Sequence, residues 1–218
     1  MGKLIDPQKR QRAQQQRAAR KRRILDQARA SFESLPYVEV TLDSIGQRAK
    51  VDRGVASMYF QSKEGLFLLV LKEELDGWYQ DLEETLAAVG EPLAGAEIAA
   101  LLTLSLTKRP LVTRLLSLAP VVFEHNLDAM DVFRIQRWRR DRMEAIGREI
   151  DRTLDGGVAG RGIRVLQLAH LIAAGLDPSA NPRGAAAYDH GAPDFAVFSV
   201  DMEMEMRSLL TAALAAGS

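Results

Sequence analysis

The chain has 218 residues, 47% of them hydrophobic and none of them cysteine, enough apolar material for a small module attached to a larger packed body. The lack of cysteine excludes a disulfide framework, a thiolate metal site and a cysteine nucleophile. No apolar run approaches the roughly 20 residues that span a bilayer, and the charged N-terminus is unlike a signal peptide, so a cytoplasmic protein is expected. A formal net charge of zero hides an uneven distribution: Lys3, Lys9, Arg10, Arg12, Arg17, Arg20, Lys21, Arg22 and Arg23 stand against Asp6 alone, and the rest of the chain is acidic. A cationic end on an acidic body suits a protein that meets a polyanion at one end only.

Residues 1–22 hold almost no large apolar side chain, and are expected to be a basic, flexible arm. Leu25, Ala28, Phe32 and Leu35 then repeat at helical spacing up to the break at Pro36. Thr41 stands at an N-cap position ahead of Leu42, Ile45 and Ala49, although the preceding Val38–Leu42 stretch also alternates like a strand. Asp52 is suited to cap a second short helix carrying Val55 and Tyr59, and Ser62 a third with Glu64 in its first turn. Short helices at this spacing predict a compact helix-turn-helix unit.

The stretch from RRILDQARASF through TLDSIGQRAKVDRGVASMYFQSKEGLFLLVL, residues 23 to 71, resembles the DNA-binding domain of the TetR family of regulators. The likeness is carried by Ile24, Leu25, Ala28, Phe32, Thr41, Ile45, Ala49, Val51, Gly54, Phe60, Ser62, Lys63, Glu64 and Leu66, all in register. It implies an all-α protein: a helix-turn-helix domain over 23–70, then a helical ligand-binding and dimerisation domain over 71–218. Two positions depart from the family pattern. Lys50 stands where glycine is usual, so the turn must accept a side chain at positive φ or take another path. Ser57 stands where the family's phosphate-binding tyrosine is usual, and Tyr59 points to another side of the helix, where it is partly core.

A recognition helix presents its N-terminal residues to base edges. Arg53 is therefore the candidate base reader, since a guanidinium can span guanine O6 and N7, with a phosphate contact as its alternative. Gly54 permits close approach, and Val55, Ser57, Met58 and Tyr59 are further candidates for the DNA-facing surface. Thr41, Arg48, Lys50 and Lys63 are placed for phosphates, Lys63 at a helix N-terminus.

The helix from Lys63 continues through Phe67, Leu71, Leu75, Trp78 and Leu82 with no linker. After a break at Gly90–Gly95 come an apolar helix over 96–108, a short one from Pro110, and a long amphipathic one from Asp128 to Leu154. The last carries Ile135, Trp138, Ile146 and Ile150 on one side and Arg134, Arg137, Arg139, Arg140 and Arg142 on another. Those arginines either receive an acidic ligand or form a solvated face tied to Asp131, Asp141 and Glu144, and the second reading is favoured. The Gly156-Gly157-x-x-Gly160-x-Gly162 run lacks the strand and the Lys-Ser/Thr ending of a phosphate loop and reads as a connector. Residues 163 to 176 are apolar nearly all round and need cover on two sides.

By the resemblance, this helix and the last one pair with their copies, which makes Leu168, Ile172, Phe198, Met202, Met206 and Leu209 the expected homodimer interface. An effector pocket is expected among Trp78, Leu82, Leu104, Leu118, Phe123, Asn126, Phe133 and Trp138, largely hydrophobic and suited to a small apolar molecule. The resulting reading is a ligand-responsive homodimeric repressor on a palindromic operator in double-stranded DNA. The alternatives are a regulator without an effector and a helical enzyme. Against the enzyme, His125, His170 and His190 are too scattered for a helix-borne metal pair, and no serine stands in a nucleophile elbow, so no catalytic, metal or cofactor residues are expected.

Overall fold

The computed structural model describes residues 7–52, 54–183 and 193–216, which are helical apart from their connections and include no strand. The chain divides into two compact units, up to Val70 and from Leu71 onward. The long helix α4, Lys63–Ala87, contributes residues to both. None of the described helices is long and apolar enough to cross a membrane.

In the first unit, α1 runs from Pro7 to Ser34. Its described residues before Ile24 are exposed yet helical, where a flexible arm is expected from sequence. Lack of apolar residues argues against packing, not against helix. Ala, Gln, Lys and Arg are all strong helix formers, and they extend a helix already nucleated by its buried end, so no new nucleus is required. From Ile24 onward α1 buries Ile24, Leu25, Ala28 and Phe32. A 3-10 turn, Tyr37–Glu39, replaces the strand-like alternation. Then come α2, Leu42–Arg48, and α3, Val55–Tyr59. Ile45, Ala49, Ala56, Phe60, Leu66 and Phe67 complete this core, with Phe32 and Phe67 rings 5.0 Å apart.

In the second unit, α4 buries Leu71, Leu75, Trp78, Tyr79, Leu82 and Leu86, a stripe at three- and four-residue spacing. It is followed by α5, Gly95–Thr107, and α6, Pro110–Leu118, with Pro110 in the first turn. A π turn, Ala119–Phe123, and a 3-10 turn, Glu124–Asn126, lead to α7, Ala129–Thr153. Asp128 caps α7 by accepting from the Met130 N–H at 2.7 Å. The remaining helices are α8, Arg161–Ala180, and α9, Met202–Ala215. Helix α8 is packed against α6, α7 and α9, the cover its apolar character demands.

The glycine-rich connector between α7 and α8 lets these helices cross closely. A Cβ on Gly162 would stand 2.1 Å from the carbonyl oxygen of Gly147. The Asp151 carboxylate accepts from the N–H groups of Gly160 and Gly162, so the start of α8 already holds an internal anion.

Candidate functional site

The DNA-facing half of the site is built on α2, the turn and α3. Thr41 and Ser44 cap α2 reciprocally, each side-chain oxygen accepting from the other's backbone N–H at 3.1 Å. Lys50 takes the left-handed conformation, φ 52°, and so occupies the family's glycine position without rerouting the turn. The cap of α3 differs from expectation. Gly54, at φ 80°, is its N-cap and there is no side-chain cap; Asp52 accepts from Val55 through its backbone carbonyl instead. Ser62 does cap α4, accepting from Gly65 N–H at 3.0 Å.

This construction sorts the candidate residues. Thr41, Arg48, Lys50, Gly54, Ser57 and Met58 are exposed, and Met58 is 82% accessible, a large apolar side chain at odds with a surface that has no partner. Ala56 and Phe60 turn into the core, while Val55 and Tyr59 are half-buried. The guanidinium of Arg17 lies 5.7 Å from the centre of the Tyr59 ring, so Tyr59 faces α1. Arg53 lies outside the described residues.

Lys63 is less free than its position at a helix start suggests. Its ammonium donates to the Tyr37 carbonyl at 3.0 Å and sits 3.9 Å over the Tyr37 ring, and burial holds its pKa below the ordinary value although Glu64 pulls the other way. The Tyr37 hydroxyl donates to Glu64 at 2.8 Å, and burial, followed by that hydrogen bond, pushes its pKa up. Tyr37 thus ties the turn before α2 to the start of α4. Sequence reasoning missed it because its partners lie 26 and 27 positions away.

In the second unit, an open cleft of about 340 Å³ lies between α7 and α8, with Leu116 of α6 and Ala119 and Pro120 of the π turn also lining it. None of the pocket residues expected from sequence lines it. Trp78, Leu82 and Phe123 are fully buried core, and the Trp78 indole N–H donates to Ser105. Leu104 and Asn126 are exposed and Leu118 is half-buried, all off the cleft. Phe133 and Trp138 line a separate shallow groove along α7. Periodicity alone cannot distinguish a helix face that meets a neighbour from one that meets a void.

The cleft wall is more apolar than polar, yet it carries charge: Leu116, Ala119, Pro120, Met143, Ile163, Leu171 and Ala174 share it with Glu124, Gln136, Arg139, Arg140, Gln167 and His170. His170, expected as a satisfied core histidine, is buried with Nε2 3.2 Å from the Tyr79 hydroxyl; burial, then Arg139, lowers its pKa to about 3. His125 is exposed, and His190 lies outside the described residues. Among the described residues no cluster of His, Asp and Glu is placed to hold a metal ion.

Among Arg134, Arg137, Arg139, Arg140 and Arg142 of α7, Arg134 and Arg140 are tied to acids of the same helix. Arg134 reaches Asp131 at 3.4 Å, and Arg140 reaches Asp141 at 2.6 Å and Glu144 at 3.7 Å. Arg142 instead crosses to α4 and grips both oxygens of Glu83, at 3.0 and 3.2 Å. Arg137 is exposed and Arg139 half-buried.

Of the expected interface residues, Phe198 and Leu209 are exposed, and Leu168, Ile172 and Met202 are half-buried. Met206 is a correction. It is fully buried within the single chain, aligned with Leu210 and Leu214 at four-residue spacing, because α9 turns that face inward. Leu171 and Met204, not among the expected residues, are 61% and 60% accessible.

Two family descriptions match the chain. Residues 24–70 match "Bacterial regulatory proteins, tetR family", and residues 72–217 match "Tetracyclin repressor-like, C-terminal domain". No curated protein matches it. With a capped helix-turn-helix in the first unit, an all-helical second unit and a match across both, the chain belongs to the TetR family of regulators, which control transcription by binding DNA through that motif.

Proposed function

We propose that the protein is a homodimeric repressor that occupies a palindromic operator and leaves it when a small molecule fills the α7–α8 cleft. The observation that carries this reading is the apolar surface left uncovered on α8 and α9. Met204 and Leu209 are exposed, and Leu168, Ile172 and Met202 are half-buried. Such a surface is costly in water and is what a second copy of the chain would cover. Two copies related by a two-fold axis would set two recognition helices into successive major grooves, about 34 Å apart, which supplies the specificity that a five-residue helix lacks alone.

The effector response rests on the cleft and on α4, which contributes to both units. A ligand that binds the free dimer better than the operator-bound one lowers operator affinity, and operator DNA must weaken the ligand by the same factor, typically about 1–3 kcal/mol. The test is to select bound duplexes from a random library and to weigh the complex. An enriched inverted repeat carrying two chains is expected; single half-sites bound by one chain would overturn the reading.

A further inference from the structure

The face of α7 on the cleft is Gln136, Arg139, Arg140 and Met143, and the face of α8 is Ile163, Gln167, His170, Leu171 and Ala174, both at helical spacing. The π turn adds to the lining. A wider turn of this kind is uncommon, tends to occur at functional sites, and here brings Ala119 and Pro120 against the opening.

The charges around this space are unevenly compensated. Glu124, the only carboxylate lining the cleft among the described residues, already accepts from the Gln136 amide at 2.6 Å. Arg140 is matched by Asp141 and Glu144. The floor is polar but uncharged, since His170 shares a hydrogen bond with Tyr79 and is kept neutral by burial and by Arg139. Arg139 has neither an ion pair nor a hydrogen bond among the described residues. It is also half-buried, so part of its hydration is already lost.

We infer that the cleft takes a small organic anion, with its apolar body against Pro120 and Leu171 and its charged oxygens on the Arg139 guanidinium. A carboxylate matches a guanidinium in two parallel hydrogen bonds, and such charge-assisted bonds are about twice as strong as neutral ones. The Gln167 amide on α8, which has no partner among the described residues, is a second donor lining the cleft. A cation would meet two arginines and only one carboxylate, itself occupied. A purely apolar molecule would leave the guanidinium stripped of water and unpaired. This assignment rests on the cleft being the effector site, and it replaces the apolar effector expected from sequence with an anionic one.

Calorimetric titration of the full chain with cinnamate, cinnamamide and cinnamylamine tests it, because the three share one apolar body and differ in charge. Cinnamate is expected to bind tightest. Arg139→Gln should weaken it about ten- to a hundredfold and leave cinnamamide unchanged, with only part of the loss restored in Arg139→Lys, which returns the charge but not the paired hydrogen bonds. An unchanged melting midpoint separates lost binding from lost folding in each variant. No binding of cinnamate, equal binding of all three, preference for the amine, or indifference to Arg139→Gln would each overturn the inference. Operator affinity measured with and without cinnamate is a separate readout: Arg139-dependent binding with no change at the operator would retire the effector reading and leave the anion site standing.

Discussion

The two units treat positive charge in opposite ways. Along the exposed start of α1, basic side chains from Lys9 to Arg23 follow one another with no acid before Asp26, and only Arg22 reaches that carboxylate, at 3.1 Å. In the second unit arginine is usually answered: Arg109 by Asp81, Arg142 by Asp76 and Glu83, Arg152 by Glu149, Arg183 by Asp177 and Arg207 by Glu203. Net charge does not show this difference, since the chain as a whole is neutral. Cations without internal partners remain available to a polyanion, and cations with partners hold helices together. Substitutions should therefore separate cleanly, with charge removal changing stability in one unit and DNA affinity in the other.

The largest effect is expected at Asp177, which is buried on α8. Its carboxylate accepts from Thr113 at 2.9 Å, Asn181 at 3.2 Å and Arg183 at 3.1 Å. The nearby Arg114 is also buried, and burial, then Arg183, lowers its pKa to about 10 against the pull of Asp177. Asp177→Ala leaves two cations facing each other without their acid and should cost about 3 kcal/mol in urea unfolding. A loss below about 0.5 kcal/mol would mean that water replaces the carboxylate and that the pair behaves as a surface one. Arg53→Ala should behave in the reverse manner, with unchanged stability, about 1–3 kcal/mol lost at the operator and relaxed preference at one base per half-site. Uniform weakening over all sequences would place Arg53 on a phosphate.

The same contrast explains what the sequence revealed. In the first unit two of the helices carry their own start signal, since Thr41 and Ser62 cap as expected while Asp52 does not, and the helix-turn-helix follows from residues close together in the chain. Long elements of the second unit were equally readable, with α7 running between Asp128 and Leu154 as its apolar and basic faces imply. The cleft was not. Its walls are surface-like positions of α7 and α8 joined to a π turn, and whether such faces enclose a void depends on how helices distant in sequence are spaced. Met206 was misplaced for the same reason, since a stripe at three- or four-residue spacing does not say which neighbour covers it. The start of α1 is low in hydrophobicity and yet helical, because its residues are good helix formers, a property that apolar patterning does not carry.

A smaller effect is expected from His170, which tests whether the second unit tolerates an uncompensated charge at all. Its folded pKa is about 3, against 6.5 for the free side chain, because burial and then Arg139 disfavour the protonated form. Above the ordinary value both folded and unfolded chains hold a neutral ring, and the contribution is intact. As pH falls below it the unfolded chain takes up a proton that the folded one refuses until near the lower value. Stability should therefore decline with acidification through that window, at no more than about 1.4 kcal/mol per pH unit from this residue. Urea unfolding of wild type and His170→Gln from neutral pH to about pH 4 checks it. Parallel curves would show that other groups set the acid sensitivity.

The smallest effect per residue is expected on α1, where it isolates the other half of the contrast. Arg12 and Arg20 are exposed on the helical segment and touch no acid among the described residues, so Arg12→Gln and Arg20→Gln remove charge without breaking a pair. Glutamine also keeps the helix, being nearly as good a helix former as arginine. Each variant that deletes a phosphate contact should reduce the slope of log K against log salt by about 0.9, with no change in the melting midpoint. The helix constrains which residues can act together: positions 12 and 20 are eight apart, a little over two turns, and lie about 80° from each other around the axis. If α1 follows the duplex as a helix, a double variant should lose both contributions and removal of a basic position on another side such as Lys21, about 180° around the axis from Arg12 and about 100° from Arg20, should cost less. Equal losses wherever the charge is removed would instead mean that this segment meets DNA as a diffuse cationic tail whose helical form plays no part.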